Sequence, residues 1–245
     1  MSNYQAAGAD EPTSAPKVEV RTTADGSPTL YVPALHEHYH STHGARQESR
    51  HVFIEAGLQP LLAAGLGQLG GEPLHLLEVG LGTGLNALLT LEAAQEAGVS
   101  ISYDGYETYP LPLETVAALR PQWADKPLLS NAFARLHAAP WNEIVEDFGE
   151  TFFLTKIQEP IQEAALPAAR YNLIYFDAFA PDKQPELWTE SVFTRLFAAA
   201  APGAVLVSYC AQGQFRRNLR AAGWLTEKLP GPPGKREMTR ARKPG

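Results

Sequence analysis

From Pro73 onward the chain alternates short apolar runs, rich in β-branched and aromatic residues, with longer stretches of helical periodicity. LHLLEVG is followed by GLNALLTLEAAQEAG, ISYDGYE by PLETVAALR, and FFLTKI by a short helical stretch. YNLIYFDAF then precedes QPELWTESVFTRLFAAA, and AVLVSYC precedes QFRRNLRAAGW. Five strand–helix alternations predict a mostly parallel sheet with helices on both faces. Runs such as LIYF and AVLV suit strands covered from both sides. Gly98, Gly203 and Gly223 fall where helices end or strands begin. Beyond Gly223, LTEKLP and KREMTRARK predict a closing antiparallel hairpin. Ahead of Pro73 the pattern is weaker. Residues 1–17 mix Ser, Ala, Pro and charge without periodicity and are expected to be disordered, with Lys17 to Thr22 the first strand-like run. Residues 18–72 are expected to form an extension packed on a catalytic domain spanning residues 73–245.

Composition narrows the class. A chain of 245 residues with 44% hydrophobic content can bury a large core within one domain. No apolar run approaches a membrane span, and the N-terminus has neither a basic start nor an apolar signal core, so a cytoplasmic protein is expected. The single cysteine, Cys210, excludes an internal disulfide and a cysteine-rich metal site, and its apolar neighbours predict a buried strand residue. Net charge is −7 but uneven: Ala211 to Gly245 holds nine Lys or Arg against two acids. A basic end on an acidic protein can dock a polyanion in one orientation, or be a solvated tail.

The chemistry concentrates after the first of these strands. In EVGLGTGLN, a strand delivers Glu78 and then Gly80, Gly82 and Gly84 into the start of a helix. Glycines there permit a tight turn and close approach of a ligand to backbone. The spacing G-x-G-x-G differs from the dinucleotide fingerprint, whose third glycine would fall at Leu85, and the Lys-Ser/Thr ending of a P-loop is missing. An acid two positions before the first glycine suits a cationic ligand better than a pyrophosphate. That favours S-adenosylmethionine, with nicotinamide or flavin binding, or a purely structural turn, as the alternatives. Glu107, at the end of the next strand, can accept the ribose hydroxyls or be a surface acid.

A second candidate lies on the fourth strand, which ends in Asp177-Ala178-Phe179-Ala180-Pro181. Ligands in open α/β sheets sit beyond the carboxyl ends of the strands, so Asp177 is expected to face the same crevice as Gly80 to Gly84. Its carboxylate can orient an amine or remove its proton, or merely cap a helix. Phe179 is expected to wall the acceptor pocket and Pro181 to stiffen the turn. Five of the seven histidines fall between His36 and His51; on a strand His36, His38 and His40 would share a face, but no fourth ligand is implied and no metal is expected. Tyr39 and Ser41 in that segment are candidates for polar or stacking contacts with cofactor or substrate. Trp141 and Trp188 read as packing residues.

DAFAPDKQPELWT resembles the D-G-F-A-P-x-K-N-P-E-x-W signature of the methyltransferase domain of the tRNA 5-methylaminomethyl-2-thiouridine biosynthesis family, MnmC. LYVPALHEHYHSTHGARQESRHVF, EVGLGTGLN and GPPGKREM resemble further segments of that family, in family order. The resemblance implies a class I (Rossmann-like) fold with a mostly parallel seven-stranded sheet. It also implies S-adenosylmethionine as cofactor, tRNA as partner, and methylation of the primary amine of 5-aminomethyluridine or its 2-thio form at the wobble position. By that analogy Asp177 is the acceptor-side catalytic residue, with Phe179 and Pro181 shaping the pocket. Glu78, Gly80, Gly82, Gly84 and Asn86 form the cofactor loop with Glu107, and Glu48, which matches an acidic position of the N-terminal segment, is expected to bind the cofactor as well. Lys235 and Arg236 match the basic C-terminal signature and, with Arg240, are expected to meet tRNA. Glu159 is the acid nearest the usual adenine contact, although Pro160 intervenes. Ala178 stands where the family has Gly. A flavin oxidoreductase domain of the bifunctional members has no room in 245 residues, so another source of the free amine is expected.

Overall fold

A computed structural model describes residues 17–145, 148–149 and 151–245. The segment expected to be disordered lies, up to residue 16, outside the described residues. The chain opens with three short antiparallel strands, β1 (Glu19–Thr22), β2 (Pro28–Val32) and β3 (Glu37–His38). Helix α1 (Ala45–Ser49) then runs through a π-helical stretch, Arg50–Leu58, into α2 (Gln59–Ala63). Strand and helix alternate thereafter: β4 (Leu74–Val79), α3 (Leu85–Ala97), β5 (Ile101–Tyr106), α4 (Leu113–Ala117), α5 (Pro127–Ala138), β6 (Ile144–Val145), β7 (Phe152–Ile157), β8 (Tyr171–Phe176), α6 (Glu190–Ala199), β9 (Ala200–Ser208), α7 (Gly213–Ala221), β10 (Leu225–Pro230) and β11 (Glu237–Arg242).

Strands β4 to β11 form one sheet in the order β10-β11-β9-β8-β4-β5-β7-β6. The five central strands are parallel, the hairpin β10–β11 adds antiparallel to β9, and two-residue β6 is an antiparallel edge beside seven longer strands. The chain winds outward from β4 through β5 and β7, then returns to β8 and β9 on the other side. The crevice where ligands settle in such sheets therefore opens between β4 and β8.

Alternation along the strands divides the core in two. Leu76, Tyr103, Leu173, Tyr175 and Val207 face the layer of α1 to α3 and α5, whereas Leu77, Ile174, Phe176 and Leu206 face α6 and α7. Phe176 is fully buried among Trp188, Phe193 and Phe215.

Several expected elements take a different form. The helix expected over QPELWTESVFTRLFAAA is broken: a 3-10 turn, Pro185–Trp188, precedes α6, whose start is capped by the Thr189 hydroxyl accepting from Val192 N. The short helix expected after FFLTKI is a single turn at residues 161–163, closed by Glu163 N and Ala164 N donating to Pro160 O. His36 has φ 50°, so the run from His36 to His40 is not one extended strand.

Candidate active site

The cleft at the β4–β8 junction encloses about 970 Å³, a volume suited to a nucleoside-sized ligand. One wall is the turn from β4 into α3. Gly80 N and Leu81 N both donate to Tyr106 O at 3.0 Å, and Gly82 N donates to Glu107 Oε2 at 3.0 Å. Tyr109 N holds the other Glu107 oxygen at 2.9 Å, so both ends of this carboxyl are fixed at the cleft edge, where burial raises its pKa. Gly80 has φ 89°, and a Cβ there would lie 2.6 Å from Asp177 O. Only glycine lets the loops after β4 and β8 touch.

The facing wall begins where β8 ends. Asp177 N donates to Val79 O, and Asn86 Nδ2 donates to Asp177 Oδ2 at 2.8 Å. Burial, reinforced by Glu48 and opposed by Asn86 and Lys235, raises the Asp177 carboxyl to about 7. Phe179 lines the cleft with its backbone clamped: its N–H donates to Gln184 Oε1, and its carbonyl accepts from Trp188 Nε1 at 2.8 Å. The Tyr209 hydroxyl, at the end of β9, donates to Ala178 O at 2.9 Å.

The N-terminal segment closes the cleft from above. Tyr39 meets Phe179 edge to face with ring centroids 5.0 Å apart, and its ring covers Gly82. Ser41 N donates to Glu48 Oε2 at 2.8 Å, and the other Glu48 oxygen accepts from Lys235 Nζ. That ammonium also lies 4.1 Å from the centre of the Tyr209 ring. His40 stands half-buried in the cleft wall between Thr29 and Thr83, where burial lowers it to about 4 and keeps it neutral. Among the described residues no group of three or more His, Cys, Asp or Glu side chains is arranged to hold a metal ion.

The structure thus brings Tyr39, Ser41, Glu48, Gly80, Gly82, Asn86, Glu107, Glu159, Asp177, Phe179 and Lys235 to one cleft. Other candidates stand elsewhere. Glu78 does not line it: the side chain is 0% exposed and turns into the sheet face, accepting from Asn86 Nδ2 and the Tyr103 hydroxyl. Gly84 packs on α5, where a Cβ would lie 2.9 Å from Leu136 Cδ2. Pro181 and Arg236 line a smaller adjoining depression. Arg240 is not a free surface cation, because its guanidinium is committed to Glu227 and to Ala56 O at 3.2 Å, a carbonyl of the π-helical stretch. Trp188 is buried packing, and Cys210 is buried just beyond β9. Tyr209 and Gln184 escaped sequence reading, although Tyr209 obeys the strand-end rule that located Asp177.

The residues present fit a sulfonium nucleoside. The glycine turn exposes backbone, fixed carboxyls rim the cleft, and aromatic rings face it. Residues 140–244 match the model of a family described as S-adenosyl-L-methionine-dependent methyltransferase. Sheet order, glycine turn and family match define the chain as an S-adenosylmethionine-dependent methyltransferase. Within that class it is similar to MnmC. The tRNA 5-methylaminomethyl-2-thiouridine biosynthesis bifunctional protein of Pseudomonas paraeruginosa is 34% identical over 210 residues, covering 82% of this chain and 31% of that protein. The protein of the same name from Cupriavidus metallidurans is 30% identical over 237 residues, covering 89% and 33%. The chain spans about a third of the length of these curated relatives. The crystal structure of MnmC2 from Aquifex aeolicus shares the fold, with a TM-score of 0.72 at 24% identity over 96% of this chain and 74% of that one. No described helix is long and apolar enough to cross a membrane.

Proposed function

We propose that this chain methylates the primary amine of 5-aminomethyluridine, or its 2-thio form, at the tRNA wobble position, giving the 5-methylaminomethyl nucleoside. The observation that carries the reading is Asp177, held at the mouth of the glycine turn with a carboxyl raised to about 7, in a chain 30–34% identical to MnmC proteins over most of its length. S-adenosylmethionine supplies an electrophilic methyl group on a sulfonium. An alkylammonium has no lone pair and must lose a proton before its nitrogen can attack in line. Asp177 would take that proton and hold the neutral nitrogen toward the methyl group that a cofactor bound at the glycine turn would supply. A carboxyl near 7 is ionised in part at neutral pH yet basic enough to serve.

The cofactor is assigned to the backbone of Gly80 to Asn86, with Glu107 for the ribose hydroxyls and Glu159 toward adenine. Tyr39 and Phe179 wall the acceptor base. Glu48, paired with Lys235, is assigned to the acceptor side. Exposed Arg236 is assigned to tRNA phosphates. The test is labelled methyl transfer to tRNA isolated from cells lacking this gene, followed by nucleoside analysis. Label is expected in 5-methylaminomethyluridine or its thiolated form; label confined to any other nucleoside overturns the assignment.

A further inference from the structure

Glu78 and Asp177, the acids at two adjacent strand ends, share one amide. Asn86 Nδ2 donates one hydrogen to Glu78 Oε1 and the other to Asp177 Oδ2, both at 2.8 Å. On its far side Glu78 meets the Tyr103 hydroxyl at 2.6 Å, and among the described residues no hydrogen bond or ion pair links it to a cation. Two ionised carboxylates joined through one neutral amide repel each other strongly in a dry floor, so one of them keeps a proton. Asp177 has the Lys235 ammonium in its field and Glu78 has none, so the proton belongs to Glu78, whose pKa burial raises well above the usual carboxyl range. Once protonated, Glu78 becomes the donor on the Tyr103 contact.

The amide can face only one way. Reversed, it would set Asn86 Oδ1 between two carboxyl groups. As it stands, Oδ1 is buried without a partner, an arrangement that destabilises the fold and that packing alone does not require. We propose that Asn86 and Glu78 are positioning residues for Asp177. A neutral Glu78 anchors the Asn86 amide, and the amide fixes the Asp177 carboxylate with Oδ1 left for the acceptor amine. The proposal rests on the reading of Asp177 as proton acceptor, and it removes Glu78 from the ionic contacts of the cofactor.

The test compares Glu78→Gln, Asn86→Ala and Asp177→Asn for kcat, KM, cofactor affinity and the pH dependence of kcat/KM. In Glu78→Gln the carbonyl accepts from Asn86 and the amide donates to Tyr103, reproducing the protonated acid. Turnover within about threefold, unchanged cofactor affinity and an unshifted pH profile are expected. Asn86→Ala removes a donor from Asp177, so kcat should fall by ~10–100-fold with cofactor affinity within a few-fold, and the pH limb should move upward. A tenfold or larger loss of cofactor affinity in Glu78→Gln would make Glu78 an ionised ligand and overturn the proposal, as would an Asn86→Ala enzyme with wild-type rate and profile. Should Asn86→Ala fail to fold, Glu78→Ala decides: removing the anchor should lower kcat ~10-fold or more with cofactor affinity within a few-fold, Glu78→Gln should restore it, and a wild-type rate and pH profile in Glu78→Ala would overturn the proposal. Near-normal turnover of Asp177→Asn would instead reject the proton-acceptor reading. An inactive Asp177→Asn beside a wild-type-like Asn86→Ala rejects only the clamp.

Discussion

Strands β4 and β8 lie side by side in parallel register, Val79 opposite Phe176, and each carries an acid near its carboxyl end. Glu78 sits one residue inside its strand and Asp177 one residue beyond its own. That shift of position separates their fates. An acid still within the strand follows the period-2 alternation, so Glu78 shares the face of Leu76 and is sealed beneath α3. An acid past the last residue of the strand is released from the alternation and opens onto the crevice. The acid two residues before a glycine turn is therefore part of the floor, while the acid at the neighbouring strand end lines the cleft.

The largest expected effect tests that contrast directly. Asp177→Ala should leave cofactor binding within a few-fold while methyl transfer falls by ~100-fold or more, the range of acid–base residues. Near-normal turnover would erase the functional difference between the two strand ends. Next comes the contact between the loops. Gly80→Ala must fit a Cβ 2.6 Å from Asp177 O at φ 89°, so a loss of roughly 1–3 kcal/mol is expected, visible as a lowered Tm together with weaker cofactor binding. Gly82→Ala, also at positive φ (50°), crowds the Tyr39 ring at 3.1 Å but no backbone atom closer than 3.9 Å, and should lose less stability. Equal effects would mean that the loops do not depend on their mutual approach.

The third effect is a pH dependence. Because the folded Asp177 carboxyl is raised from 3.8 to about 7, its contribution to stability is fully present below the ordinary value and is lost as pH rises through about 7. Between those limits the slope approaches about 1.4 kcal/mol per pH unit. Asp177→Asn should match the wild type in Tm near the lower limit and gain on it toward the upper, while wild-type kcat/KM rises toward a plateau above about 7. Parallel Tm curves for the two proteins would show that Asp177 is well solvated.

Most strand–helix alternation was legible because apolar runs at consecutive positions mark strands covered on both faces. The G-x-G-x-G turn and the strand-end rule located the cleft. What stayed hidden depended on packing between distant segments. Helix α5 carries Leu129, Ala132, Phe133 and Leu136 at helical spacing with Pro127 at its first turn, a signal present but unread, and its Leu136 explains why position 84 is glycine. Nothing in the sequence near Glu78 points to Tyr103, which reaches it from β5, or says that Arg240 is spent on Glu227 and a π-helix carbonyl.

The smallest expected effect separates the two C-terminal arginines, which sequence reading grouped together. Exposed Arg236 is free to meet a phosphate, and its charge reversal to Glu should weaken tRNA binding and flatten its salt dependence by about one counterion. Arg240 is turned inward on β11, so its reversal sets a carboxylate against Glu227 and leaves Ala56 O without its donor. Arg240→Glu should therefore lower Tm while the folded fraction binds tRNA with an unchanged salt slope. Salt titrations of both variants against the same tRNA check the division, and equal slopes for Arg236→Glu and the wild type would reduce the basic end to a solvated surface.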